Sequence, residues 1–184
     1  KYLQKSKGEL MREIKFEELS DYTVPARGAI DKIYLHWTGG HYGQPFGSYH
    51  LNIDANGTLY TDMDSFMDLK AHTWRRNSRA IGITLCCCYK ASINADTGDI
   101  DYGSEPPTQD QLDMMAKVVA KLCVEIGIYP EGNVWTHAEV ADFDGYGLHD
   151  DDPDMRWDLY GLGWQIRQRV REYINDWNSE QTHD

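Results

Sequence analysis

From Lys32 the chain reads Lys-Ile-Tyr-Leu-His-Trp, apolar at almost every step, and the run breaks at Thr38-Gly39-Gly40. A short apolar run closed by glycines predicts a buried strand, with His36 at its carboxyl end. Ser48 to Asp54 alternates in polarity and reaches Asn56-Gly57 before Thr58-Leu59-Tyr60. That pattern predicts two antiparallel strands joined by a tight hairpin. The segment Ala80 to Cys88 is rich in apolar residues and is expected near the centre of the sheet, with its cysteines as packing residues. Asn133 to Thr136 makes one more short strand that leads directly to His137.

The period changes after Pro107. Thr108 and Gln111 have the spacing of a capping box, and Leu112, Met115, Val119, Leu122 and Ile126 recur at helical intervals up to Gly127. A terminal helix carries Ile166, Val170, Ile174 and Trp177 on one stripe. Gly8 to Ile14 reads as a short helix flanking the fold, and Asp96 to Pro107 as one long solvent loop. Together these elements predict an α/β fold: a single domain, with a central mixed β-sheet flanked by helices. Its expected limits are an N-terminal flanking segment over 1–30, the domain proper over 31–178 and a tail over 179–184 that holds His183.

Composition narrows the partners. With 184 residues and 41% hydrophobic content the chain can bury one substantial core. A net charge of -12 repels phosphate backbones, so nucleic acid is not an expected partner. No apolar run is long enough to cross a bilayer, and neither a membrane partner nor an oligomer is expected. Cys86, Cys87, Cys88 and Cys123 lack the spacing of a disulfide framework, which predicts synthesis in a reducing compartment.

His36 and His137 each end a strand, and strand ends that share one sheet edge can bring them together. A catalytic zinc takes three protein ligands and leaves a fourth place for water, so two histidines call for one more donor. The run His149-Asp150-Asp151-Asp152-Pro153-Asp154 can supply it, although such a run also reads as an ordinary solvated loop. Asp158 lies close enough in sequence to compete, or else caps the helix that follows it.

Five segments in order resemble the zinc amidase family that includes amidase-type phage lysozymes, cytosolic anhydromuramyl-peptide amidases and peptidoglycan recognition proteins. They are Leu35-His36-Trp37-Thr38; Tyr49 to Tyr60; His72 through Asn77 to Ile81-Gly82-Ile83; Thr136-His137-Ala138-Glu139; and Asp152-Pro153 followed by Trp157-Asp158-Leu159. The resemblance implies a zinc groove at one sheet edge. It implies hydrolysis of the amide between the N-acetylmuramoyl lactyl group and L-alanine of peptidoglycan, by a zinc-activated water. The substrate would be peptidoglycan or a muropeptide, with the protein made in a reducing cytoplasm and acting on the bacterial cell wall, as a phage endolysin does.

Residue by residue, the resemblance assigns zinc to His36, His137 and Asp152, catalysis to Tyr49, and the groove to Trp37, His72 and Asn77. Tyr49 read alone is equally a strand aromatic. Glu139 either orients His137 or caps the turn after it. Two positions depart from the family: Thr84 stands where one branch has a catalytic glutamate, and Asp150 where phage enzymes have a lysine two residues before the third ligand. His149 is the substitute expected for that lysine. A non-catalytic peptidoglycan-binding module, and a zinc hydrolase for another amide, are the rival readings.

Overall fold

The computed structural model describes residues 11–182. Its main sheet has six strands: β1 (Arg12–Ile14), β2 (Lys32–Trp37), β3 (Leu51–Ile53), β4 (Leu59–Thr61), β5 (Ala80–Leu85) and β8 (Val134–Thr136). Their spatial order is β1-β4-β3-β5-β2-β8, with β3, β5, β2 and β8 parallel, β4 antiparallel to β3, and β1 antiparallel to β4. The sheet is therefore mixed, as its sequence pattern predicts. β5 lies between β3 and β2, and every one of its residues is buried. In an open parallel array the crevice at the carboxyl ends of the strands is where ligands bind.

Helix α2 (Gln109–Leu122) packs against α4 (Gly163–Gln181), with α1 (Ser20–Ala26) and α3 (His137–Asp144) completing the helices. The Thr108–Gln111 capping box forms, an arrangement worth about 1 kcal/mol. Gln111 does more than cap. Its amide nitrogen donates to the carbonyls of Ile53 and Cys86, satisfying β3 and β5 where their ladder ends and fixing α2 to the sheet.

Four local expectations are corrected. Arg12–Ile14 is a strand paired with β4, because its extended backbone finds a free sheet edge; the rest of the expected helix, Gly8 to Leu10, lies outside the described residues, as does His183. Strand β5 stops at Leu85, and Cys88 turns the chain with φ +70°; all four cysteines are buried and unpaired. The 96–107 loop is shortened by a two-stranded hairpin, β6 (Ser92–Ile93) with β7 (Ile100–Asp101). The segment 179–181 continues α4. No helix among the described residues is long and apolar enough to cross a membrane.

Candidate metal centre

Parallel pairing of β2 with β8 sets Leu35 opposite Thr136, so His36 and His137 follow at the same level of the sheet. Thr136 is the N-cap of α3: its hydroxyl accepts the Glu139 N–H at 3.2 Å, and Glu139 accepts the Thr136 N–H at 2.8 Å. Arg167 of α4 holds the Glu139 carboxylate through two bonds of 2.7 and 2.8 Å. Glu139 is therefore a cap fixed by a bidentate ion pair, and it locks the first residue of α3, His137, against the end of β2.

His36 Nδ1 and His137 Nδ1 lie 3.1 Å apart, with the rings nearly perpendicular. Asp158 Oδ2 sits 3.4 Å from each of them. Two things aim that carboxylate. Leu159 is fully buried yet adopts φ +60°, a left-handed conformation that costs a bulky residue about 1–3 kcal/mol and turns the chain sharply after Asp158. The Asp158 carbonyl also accepts the Ala138 N–H at 3.1 Å, satisfying an open donor in the first turn of α3. The third carboxylate is thus tied to the helix that carries the second histidine.

Burial lowers the His36 pKa to about 4, against the pull of Asp158, so the ring is neutral at pH 7. Burial would raise Asp158, but the two imidazoles hold it ionised, below the ordinary carboxylate value. Two neutral imidazole nitrogens at 3.1 Å oppose their lone pairs unless a proton or cation stands between them. A borderline-soft cation with nitrogen and oxygen ligands fits this donor set, and an outer partner lies behind each ring: Thr73 Oγ1, 3.2 Å from His36 Nε2, and the Tyr146 hydroxyl, 3.3 Å from His137 Nε2. Among the described residues this is the one His/Cys/Asp/Glu cluster with metal-binding geometry.

The expected site residues divide. His36 and His137 meet; Asp152 does not join them. Its Oδ1 accepts the Asp154 N–H at 2.8 Å, so the side chain closes its own turn at the rim of the cleft. The carboxylate at the cluster is Asp158, which caps no helix. Counted back from Asp158, the residue two places upstream is Arg156, a cation that lines the clefts on both sides of the cluster. Counting from Asp152 gives Asp150 and misses it. His149 is exposed and lines neither cleft.

Tyr49 lies just before β3, its ring 5.1 Å from that of His36. Trp37 is buried at the cleft wall, edge-on to Trp157. Asn77 faces the backbone, with Oδ1 accepting the His72 and Thr73 N–H groups. Thr84, in register with His36 on β5, is fully buried and carries no carboxylate. Two adjoining clefts of about 560 and 590 Å³ share His72, His137 and Arg156 and open on either side of the cluster.

The chain belongs to the N-acetylmuramoyl-L-alanine amidase family, whose model matches residues 26–154. That match holds His36, His137 and Asp152 but ends before Asp158. No curated protein matches the chain. Among solved structures, the N-acetylmuramyl-L-alanine amidase AmiD from E. coli, in complex with anhydro-N-acetylmuramic acid-L-Ala-D-gamma-Glu-L-Lys, is similar with a TM-score of 0.52 and 20% identity. The similarity covers 78% of this chain and 58% of AmiD, so the chain spans little more than half of that protein, and at this identity the likeness shows the fold. A mutant of PlyL is more distant, with a TM-score of 0.42 and 15% identity over 78% of this chain and 85% of that one.

Burial also depresses His50, to about 4, and His72, to about 2. Between those values and the ordinary 6.5 the unfolded chain binds protons that the folded chain does not, so stability rises with pH across the window. The slope is up to about 1.4 kcal/mol per pH unit for each histidine. The urea midpoint of the protein in chelator should therefore fall steadily as pH is lowered from 6.5 towards 4.5. A flat profile would show that these rings are not buried as neutral groups.

Proposed function

We propose that the protein is a zinc-dependent amidase that hydrolyses the bond between the N-acetylmuramoyl lactyl group and L-alanine of peptidoglycan. The observation that carries this reading is the convergence of His36 Nδ1, His137 Nδ1 and Asp158 Oδ2 where two clefts meet, with His137 lining both and Asp158 one. These three residues would hold the ion. Zinc in such a place lowers the pKa of a water molecule towards neutrality and polarises an amide carbonyl.

The chain's own groups then act on the amide. Tyr49 lines the cleft that also holds Asp158, so a substrate whose scissile carbonyl lies at the cluster would meet its phenol. Burial, reinforced by the negative charge of Asp158, pushes the Tyr49 phenol above its ordinary pKa. It therefore stays protonated and can donate a hydrogen bond to the oxyanion as charge develops there. Arg156 lines both clefts and would add a positive charge to them, its guanidinium held by the carbonyls of Asp154 and Met155. Trp37 and Trp157 form an apolar wall that limits water on one side.

The muropeptide bound to AmiD supports a peptidoglycan fragment as the substrate class. Burial of all four cysteines as free thiols favours synthesis in a reducing cytoplasm, followed by action on the cell wall. A monomer suffices, since one chain supplies every residue named above.

Digestion of purified sacculi by the zinc-loaded protein should release peptides with a free N-terminal alanine and leave glycan strands intact, as read by mass spectrometry. New reducing sugar ends, or cuts confined to the peptide, would contradict the reading. Tyr49→Phe should lower turnover about 100–1000-fold, the effect of removing one oxyanion donor, with zinc content unchanged. Turnover close to that of the unmodified protein would assign Tyr49 to packing alone.

A further inference from the structure

We propose that Thr73, His72 and Asn77 form a positioning unit for His36, fixing the tautomer that presents its Nδ1 to the metal; this rests on the zinc reading above. The hydrogen-bond chain has one consistent direction. If Nδ1 of His36 is the ligand atom, its proton sits on Nε2, and the acceptor within reach is Thr73 Oγ1 at 3.2 Å. With its lone pair engaged, the Thr73 hydroxyl donates to His72 Nδ1 at 2.8 Å. His72 in turn carries its own proton on Nε2. The chain runs from His36 to Thr73 to His72 and ends at His72 Nε2, which is buried without a hydrogen-bond partner.

Three further contacts keep that chain in place. Asn77 Oδ1 accepts the N–H groups of both His72 and Thr73, at 3.0 and 2.8 Å, and so fixes the backbone from which both side chains project. The His72 ring is laid on Gly82 of β5, where an added Cβ would fall 2.5 Å from the ring's Cγ. Gly82 leaves room for that ring in the middle of a buried strand. His50 holds the same glycine, its Nδ1 accepting the Gly82 N–H at 3.0 Å.

His72 and Asn77, which the sequence pattern assigns to the groove wall, thus serve the metal ligand at one remove. Neither supplies a donor to the ion itself. A metal-bound histidine whose second nitrogen loses its partner can rotate and change tautomer, and this typically weakens metal affinity about 10–100-fold.

The test is zinc affinity, measured by competition with a chromophoric chelator on the metal-free full chain, with no substrate present. Thr73→Val keeps the side-chain shape and removes the oxygen; it should bind zinc about 10–100-fold more weakly, while Thr73→Ser, which restores the oxygen, should bind near the unmodified value. If Thr73→Val does not fold, Asn77→Ala, at a half-buried site, should show the weakened binding in its place. Unchanged affinity in the folded variant, or a Ser variant as weak as the Val one, overturns the proposal. The zinc reading fails separately: it is overturned if the unmodified chain binds no zinc, or if Asp158→Ala binds it as tightly.

Discussion

Two imidazole nitrogens and a carboxylate oxygen meet at one point in this fold, and when both rings carry their proton on Nε2 all three are acceptors with no donor between them. Left alone, buried acceptors facing each other are unfavourable by about 1–3 kcal/mol for each unsatisfied group, so the scaffold has to impose the arrangement. It does so from three directions. The parallel register of β2 and β8 levels the two histidines, the Thr136–Glu139 cap held by Arg167 stops α3 from fraying, and the left-handed turn at Leu159 aims Asp158 inward. Each device is local, yet all three end at the same few ångströms.

The same constraint explains the order of the layers. Helix α4 is distant in sequence from the cluster, but its Arg167 reaches the Glu139 carboxylate and the Val134 carbonyl, joining the outermost strand to the cap of α3. An added Cβ at Gly163 would meet the Glu139 oxygens at 2.4 and 2.5 Å, so the start of α4 must be bare for the clamp to close. Packing of α4 on α2, which Gln111 fixes to β3 and β5, carries the restraint across the sheet. Core and site are one mechanical unit.

Strands β2 and β5, the β3–β4 hairpin and the capped helix α2 were legible because periodicity and turn chemistry are local properties. Both histidines were legible for the same reason, each standing where an apolar run ends. The third carboxylate was not. The resemblance points to Asp152 through the Asp152-Pro153 pair, whereas the turn that brings Asp158 to the cluster comes from a leucine held at φ +60° by burial, and nothing in a leucine announces that. Arg156 was hidden by the same choice of register, though a cation directly before Trp157-Asp158-Leu159 was there to be read. The 92–101 hairpin was missed because strands of two residues carry no period. Thr73 and Tyr146 gave no signal at all, since a partner to a ligand's second nitrogen is defined only in three dimensions.

Which carboxylate completes the cluster is measured directly by diffraction at the zinc absorption edge from zinc-loaded crystals. The anomalous peak should lie about 2.0–2.2 Å from His36 Nδ1, His137 Nδ1 and Asp158 Oδ2 together, with Asp152 still closing its own turn. A peak ligated by Asp152, or one that leaves Asp158 outside coordination distance, would contradict it.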